Sequence, residues 1–121
     1  MSFEIFFSSY IECALWSSTD NADDSGGEPL DANYGEDDIA PEALKALRDE
    51  ARDFYDANVA TWDAIEYDDS QAGHDFWLTR NGHGAGFWDR GIGEVGEVLT
   101  KASKVYGSCD IYVGDDGKLY T

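Results

Sequence analysis

Basic residues are scarce in this sequence: eight Lys and Arg stand against 26 Asp and Glu, which gives a formal net charge of −18. The excess is uneven, because 17 acids and only three bases lie between Asp20 and Asp69. Such a surface repels nucleic acid and anionic membranes and attracts basic proteins. The composition therefore predicts a protein partner with a basic surface and no direct binding of nucleic acid. The alternative is that the charge serves only solubility or a salt-rich habitat.

Cysteines and long apolar runs are also rare. Cys13 and Cys109 are the only cysteines, enough for one disulfide but too few for a secreted disulfide framework. Cys13 lies in an apolar helical stretch, and we expect it to be buried. No apolar run reaches the ~18 residues of a membrane span, and no basic segment opens the sequence as in a secretory leader. These absences predict a cytoplasmic protein.

Helical periodicity marks three segments. Residues 2–18 repeat apolar side chains at helical spacing, with Ser2 as the expected N-cap. Residues 41–66 form the longest such segment and begin with Pro41, which suits a first helical turn. Residues 92–106 form the third, followed by Gly107 as its expected C-terminal residue. Between the first two, residues 19–40 predict a long acidic loop.

Alternating side chains predict strands in the second half of the chain. Residues 74–80 alternate and end at Asn81-Gly82, a hairpin signal, after which residues 86–90 are expected to return as a second strand. Residues 110–113 and 118–121 predict a terminal hairpin. Residues 1–121 are thus expected to form one α+β domain, with three helices packed on a small antiparallel sheet. We expect a monomer or a small homo-oligomer.

The longest predicted helix carries a row of acids opposite its apolar face. At 100° per residue the members of this row fall within about 80° of one another, and they extend over roughly 31 Å, close to the ~34 Å of one turn of B-form DNA. Carboxylates fixed in such a row could take the place of phosphates in a basic DNA-binding groove. The row comprises Glu42, Asp49, Asp53, Asp56 and Asp63, and the acids expected to assist it are Asp20, Asp23, Asp24, Glu36, Asp37 and Asp38.

The aromatic and glycine-rich segment 73–90 supports several interpretations. It predicts a tight hairpin that buries Phe76 and Trp88, with Arg80 and Arg90 paired to local acids. Alternatively it binds another protein, and His74, Trp77, His83 and Trp88 are then the contact residues. A third hypothesis is a metal-assisted enzyme that uses His74, His83 and Asp75. Zinc would need further ligands, and catalysis would need a nucleophile that no motif supports. We therefore predict no enzyme, no cofactor and no metal.

Three stretches of the chain, residues 10–21, 26–31 and 73–90, resemble a family of small acidic proteins of phages, prophages and mobile elements. The run Gly-His-Asp-Phe-Trp-Leu-Thr-Arg-Asn-Gly-His-Gly-Ala-Gly-Phe-Trp-Asp-Arg is the signature that carries the resemblance. The resemblance implies a counter-defence context, which includes anti-CRISPR and anti-restriction proteins, some of them acidic DNA mimics. It supplies no catalytic residue. Together with the acidic row, it predicts an inhibitor that occupies a DNA-binding surface of a host defence protein.

Overall fold

A computed structural model describes residues 2–18, 29–82 and 85–121. In these ranges the chain forms four α-helices, three short 3₁₀ turns and one two-stranded hairpin. The helices are α1 (Phe3–Ser17), α2 (Pro41–Asp63), α3 (Asp69–Asn81) and α4 (Glu94–Lys104); the 3₁₀ turns are Leu30–Ala32, Glu36–Asp38 and Phe87–Asp89; the strands are β1 (Tyr112–Val113) and β2 (Leu119–Tyr120).

The expected α+β arrangement of three helices on a sheet is wrong, because the molecule is mostly helical. Residues 74–80, expected as a strand, lie inside α3, and residues 86–90, expected as its partner, hold the third 3₁₀ turn. Asn81-Gly82, predicted as a hairpin turn, ends a helix instead. Gly82 adopts φ 66° as the left-handed C-cap of α3. In the described ranges the only sheet is the two-residue ladder of β1 and β2.

The three helices expected from periodicity are confirmed. The Ser2 hydroxyl accepts a hydrogen bond from the backbone N–H of Ile5, and Pro41 opens α2 as predicted. Helix α2 ends three residues early, since Glu66 takes a positive φ of 57° in the turn that follows. The terminal hairpin is also confirmed, and it docks where the Ala40 N–H donates to the Leu119 carbonyl at 2.8 Å. None of the helices in the described ranges combines the length and apolar composition that crossing a bilayer requires.

Stacked aromatic rings form the core between α1, α2 and α3. The rings of Phe54 and Phe76 are 4.0 Å apart, and Phe6 stacks on Trp62 at 5.5 Å. Helices α1 and α3 approach closely at Gly73, where a Cβ would lie 2.1 Å from the Phe6 carbonyl oxygen. Residues 75–80 of α3 are all buried, so this helix lies in the centre of the fold.

Both cysteines are free thiols. Cys13 is 1% exposed, which confirms that it is a buried residue. Burial raises the pKa of the Cys13 thiol to about 12, so the thiol stays protonated in the folded protein at neutral pH.

Candidate partner-binding surfaces

The acidic row expected on the longest helix lies on the surface of α2. All five carboxylates are exposed, on the face opposite the buried side chains of Leu47, Ala51 and Phe54. This arrangement follows from the sequence, because apolar residues at helical spacing turn one face of α2 to the core and leave the other in water. We name Glu42, Asp49, Asp53, Asp56 and Asp63 the α2 ridge.

Two cations pair with acids of the α2 ridge. Lys45 Nζ lies 2.6 Å from the Asp49 carboxylate, and Arg52 Nε lies 3.2 Å from that of Asp56; both pairs link residues four apart. Asp53 accepts a hydrogen bond of 2.6 Å from the Tyr106 hydroxyl. Burial and, after it, this hydrogen bond raise the pKa of Tyr106. The ridge is therefore partly neutralised along its length.

The acids expected to assist the row fall into two groups. Asp20, Asp23 and Asp24 lie outside the described residues. Glu36, Asp37 and Asp38 form an exposed 3₁₀ turn directly before α2, and the Asp38 carboxylate accepts a hydrogen bond from the Gly35 N–H at 2.8 Å. This turn adds negative charge just ahead of the α2 ridge.

The 73–90 segment contains an ion pair whose acid is buried and whose base is partly exposed. Asp75 is fully buried on α3, and its carboxylate accepts hydrogen bonds from Arg90 at 2.7 and 3.1 Å. Gln71 donates to the same carboxylate at 3.0 Å, and the Tyr67 hydroxyl donates to it as well. Burial and the bond to Asp75 raise the pKa of Tyr67. With both carboxylate oxygens hydrogen-bonded and the residue fully buried, Asp75 links α3 to Arg90 and to Tyr67 and so holds the segment in place.

Arg80 serves the fold in the same way. Its side chain is 2% exposed and lies 3.2 Å from Glu50, and it donates to the Tyr10 hydroxyl at 2.9 Å. It also donates to the carbonyls of Tyr106 and Gly107, just beyond the end of α4. Cations at this position satisfy carbonyl groups that a helix end leaves unpaired. The predicted pairing with local acids is thus confirmed for Arg90 and wrong for Arg80, whose partner Glu50 comes from α2.

The alternative contact residues of the 73–90 segment do not form one exposed patch. Trp77 is 1% exposed and donates its indole N–H to the Ser17 hydroxyl, so it belongs to the core. Trp88, expected to be buried, is 53% exposed, because the 3₁₀ turn inserts its neighbour Phe87 into the core instead. His74 is half-buried, and His83 lies outside the described residues.

The metal-assisted hypothesis gains no support from this geometry. In the described parts of the chain no three His, Cys, Asp or Glu side chains are placed to hold a metal ion. Asp75, one of the three residues of that hypothesis, is bonded to Arg90 instead.

A second acidic surface, absent from the sequence-based prediction, follows the exposed face of α1. This face presents Ile5, Ser8, Ser9, Glu12 and Trp16. It forms the floor of adjoining clefts of about 300 to 420 Å³, which share lining residues such as Ile5, Glu12 and Asp68. Their walls come from residues 31–36 on one side and 63–74 on the other. We name these adjoining clefts together the α1 groove.

Two exposed apolar side chains distinguish the α1 groove from the α2 ridge. Ile5 is 54% exposed and Trp16 is 57% exposed. The rings of Trp16 and His74 are 6.1 Å apart. An Ile and a Trp in the polar face of an amphipathic helix are the signal in the sequence that could have indicated this surface.

No family model matches this chain, and neither a curated protein nor a solved structure matches it. The resemblance to small acidic phage proteins therefore stays a prediction from the residues of the three stretches.

Proposed function

We propose that the protein is a counter-defence inhibitor of the phage type, which acts in the host cytoplasm by occupying a basic DNA-binding surface of a defence complex. A CRISPR surveillance complex and a restriction enzyme are the two targets that fit this role. The observation that carries the proposal is the α2 ridge: five exposed carboxylates on one face of a single 23-residue helix. In this proposal the protein binds without catalysis, metal or cofactor.

The spacing of the ridge suits a surface built for phosphates. Steps of three, four and seven residues separate the carboxylates by roughly 4.5 to 10.5 Å along the helix axis. Lys and Arg side chains that normally receive phosphates are long enough to adjust to such spacings. Association would release counterions from the target, so binding is expected to weaken as salt rises.

The two ion pairs on the ridge do not prevent its carboxylates from binding the cations of a partner. Both are exposed, with side chains 76% and 64% accessible for Lys45 and Asp49. Such pairs at a spacing of four residues contribute only about 0.3–0.5 kcal/mol each, so an incoming cation can replace them. In the described ranges, Glu42, Asp53 and Asp63 form no ion pair. Because Asp53 also accepts a hydrogen bond from Tyr106, Glu42 and Asp63 are the acids most available to a basic target.

The proposal is tested by measuring affinity for a purified CRISPR surveillance complex and a purified restriction enzyme, by calorimetry at low salt. The ridge variant Asp49→Asn, Asp53→Asn, Asp56→Asn removes three charges. The control variant Glu94→Gln, Glu97→Gln, Asp110→Asn removes three exposed charges elsewhere. At about 0.5–1 kcal/mol for each lost contact, the ridge variant should bind about 10- to 100-fold more weakly.

The control variant should bind within about threefold of the unmodified protein. Equal losses in both variants would mean that total charge and not the ridge determines binding. Absence of binding to either class of target would reject the proposed function.

A further inference from the structure

We propose that the α1 groove binds a basic amphipathic helix of a partner protein. The groove shares Asp63 with the α2 ridge and Glu36 with the acidic turn before α2, but its occupant differs in chemistry because the groove offers apolar anchors as well as charge. A DNA-binding surface of the kind proposed for the α2 ridge presents mainly Lys and Arg side chains that receive phosphates. It would leave Ile5 and Trp16 without a matching surface, whereas an amphipathic protein helix supplies both apolar and cationic side chains.

Charge complementarity selects a basic occupant. Glu12, Asp31, Glu36, Glu66 and Asp68 line the groove and are exposed. Lys and Arg are absent from the described residues that line it. None of these five acids forms an ion pair within the described ranges. A partner cation therefore has no internal competitor at these five acids, whereas Glu4, which also lines the groove, is paired with Arg48.

The dimensions of the groove fit about three turns of helix. Ile5 and Trp16 are eleven residues apart on α1, which corresponds to roughly 16 Å along its axis. Between them the floor carries the small side chains of Ser8 and Ser9, which allow a second helix to approach closely. A partner with apolar residues at spacings of three and four and Lys or Arg beside them would cover Ile5 and Trp16 and face the acids on both walls.

The exposed Trp16 supplies both an anchor and a probe. Aromatic side chains at the centre of interfaces carry a large share of binding energy. The fluorescence emission of an exposed indole shifts when the indole moves into an apolar contact. A shift that depends on Trp16 therefore distinguishes binding in the groove from charge attraction elsewhere on the molecule.

The test uses a synthetic helical peptide of about 14 residues, composed of Leu and Lys at amphipathic spacing. Its control is a peptide of the same composition with the Leu and Lys order scrambled. Affinity and tryptophan emission are measured for the unmodified full chain and for Trp16→Ala and Glu12→Gln. The matched variant Trp88→Ala removes an equally exposed indole outside the groove, at 53% against 57% exposure.

The amphipathic peptide should bind the unmodified protein with a blue shift of emission, and Trp16→Ala should weaken binding at least about tenfold. Glu12→Gln should weaken it about two- to fivefold, and Trp88→Ala less than about twofold. The ridge variant with Asn at 49, 53 and 56 should bind the peptide almost normally, so failure of the ridge and failure of the groove are distinguishable.

Three results would overturn the inference. Equally strong binding of the scrambled peptide would mean that the groove attracts the peptide through charge alone. Trp16→Ala could bind like the unmodified protein, which would place the contact elsewhere. Sedimentation could show self-association that Trp16→Ala abolishes, in which case a second copy of the chain is the occupant.

Discussion

Replacing Asp75 with Asn should strongly destabilise the fold. The Asp75 carboxylate is fully buried and receives hydrogen bonds from Arg90, Gln71 and Tyr67. An amide is neutral and has only one acceptor oxygen, so the Arg90 guanidinium would lose its close counter-charge and keep only the Asp89 carboxylate at 4.0 Å. If these hydrogen bonds hold the 73–90 segment together, their loss should lower the free energy of unfolding. The effect should not be the loss of a bound ligand or of catalysis.

The burial of the two side chains determines how much stability Asp75→Asn should cost. Breaking a buried pair by removing one partner costs about 3–5 kcal/mol. The Arg90 side chain is 30% exposed and can recover some hydration, so we expect a loss of about 2–3 kcal/mol. With a urea slope of roughly 1.5 kcal/mol per molar, the midpoint of unfolding should fall by about 1.3–2 M.

A double-mutant cycle in urea with Arg90→Met isolates the pair. We expect a coupling energy above about 1.5 kcal/mol between positions 75 and 90, because each single change leaves the other charge unpaired. The exposed pair of Lys45 and Asp49 serves as the control, with a coupling below about 0.5 kcal/mol. A loss under about 1 kcal/mol for Asp75→Asn, with coupling no larger than in the control, would refute the structural role of Asp75.

Two further predictions concern the core. Gly73→Ala should lower the free energy of unfolding by more than about 2 kcal/mol in urea denaturation, because the new Cβ would lie 2.1 Å from the Phe6 carbonyl oxygen. At Gly35 an added Cβ would meet no atom within 4 Å, so Gly35→Ala should change the free energy of unfolding by less than about 0.5 kcal/mol. Equal effects of the two substitutions would contradict the close contact of α1 and α3 at Gly73. The raised pKa of Cys13, from 9.0 to about 12, favours the protonated folded state, so this contribution to stability is complete below pH 9 and is lost as pH rises toward 12. Raising the pH from 7 to 10.5 should therefore lower the free energy of unfolding of the unmodified protein by about 2 kcal/mol more than that of the Cys13→Ala variant. Equal losses in the two proteins would contradict a buried thiol.

Helices α1, α2 and α4 could be predicted from the sequence because each buries one face and exposes another. Helix α3 could not be predicted, because it is buried on nearly every side and its apolar residues show no helical period. Its buried polar residues, Asp75, Thr79 and Arg80, made the segment resemble an alternating strand. Only the tertiary partners of these residues, such as Glu50 and Arg90, explain why polar side chains lie in the centre of the fold.

The same distinction applies to the binding surfaces. The α2 ridge lies on one helix, so angular spacing alone predicts which carboxylates share a face. The α1 groove is formed by three segments distant in the sequence, with Glu12, Asp31 and Asp68 brought together only by folding. The ion pairs of Lys45 and Arg52 on the ridge also depend on side-chain placement, although their spacing of four residues permitted them.

The most direct test of the central claim is a competition titration on a purified defence complex bound to fluorescent duplex DNA, followed by anisotropy. Because the α2 ridge is proposed to occupy the surface that receives DNA phosphates, the apparent dissociation constant for DNA should rise in proportion to the concentration of added protein, without a plateau. Formation of a ternary complex with DNA still bound, or a plateau in the titration, would contradict mimicry of DNA by the ridge.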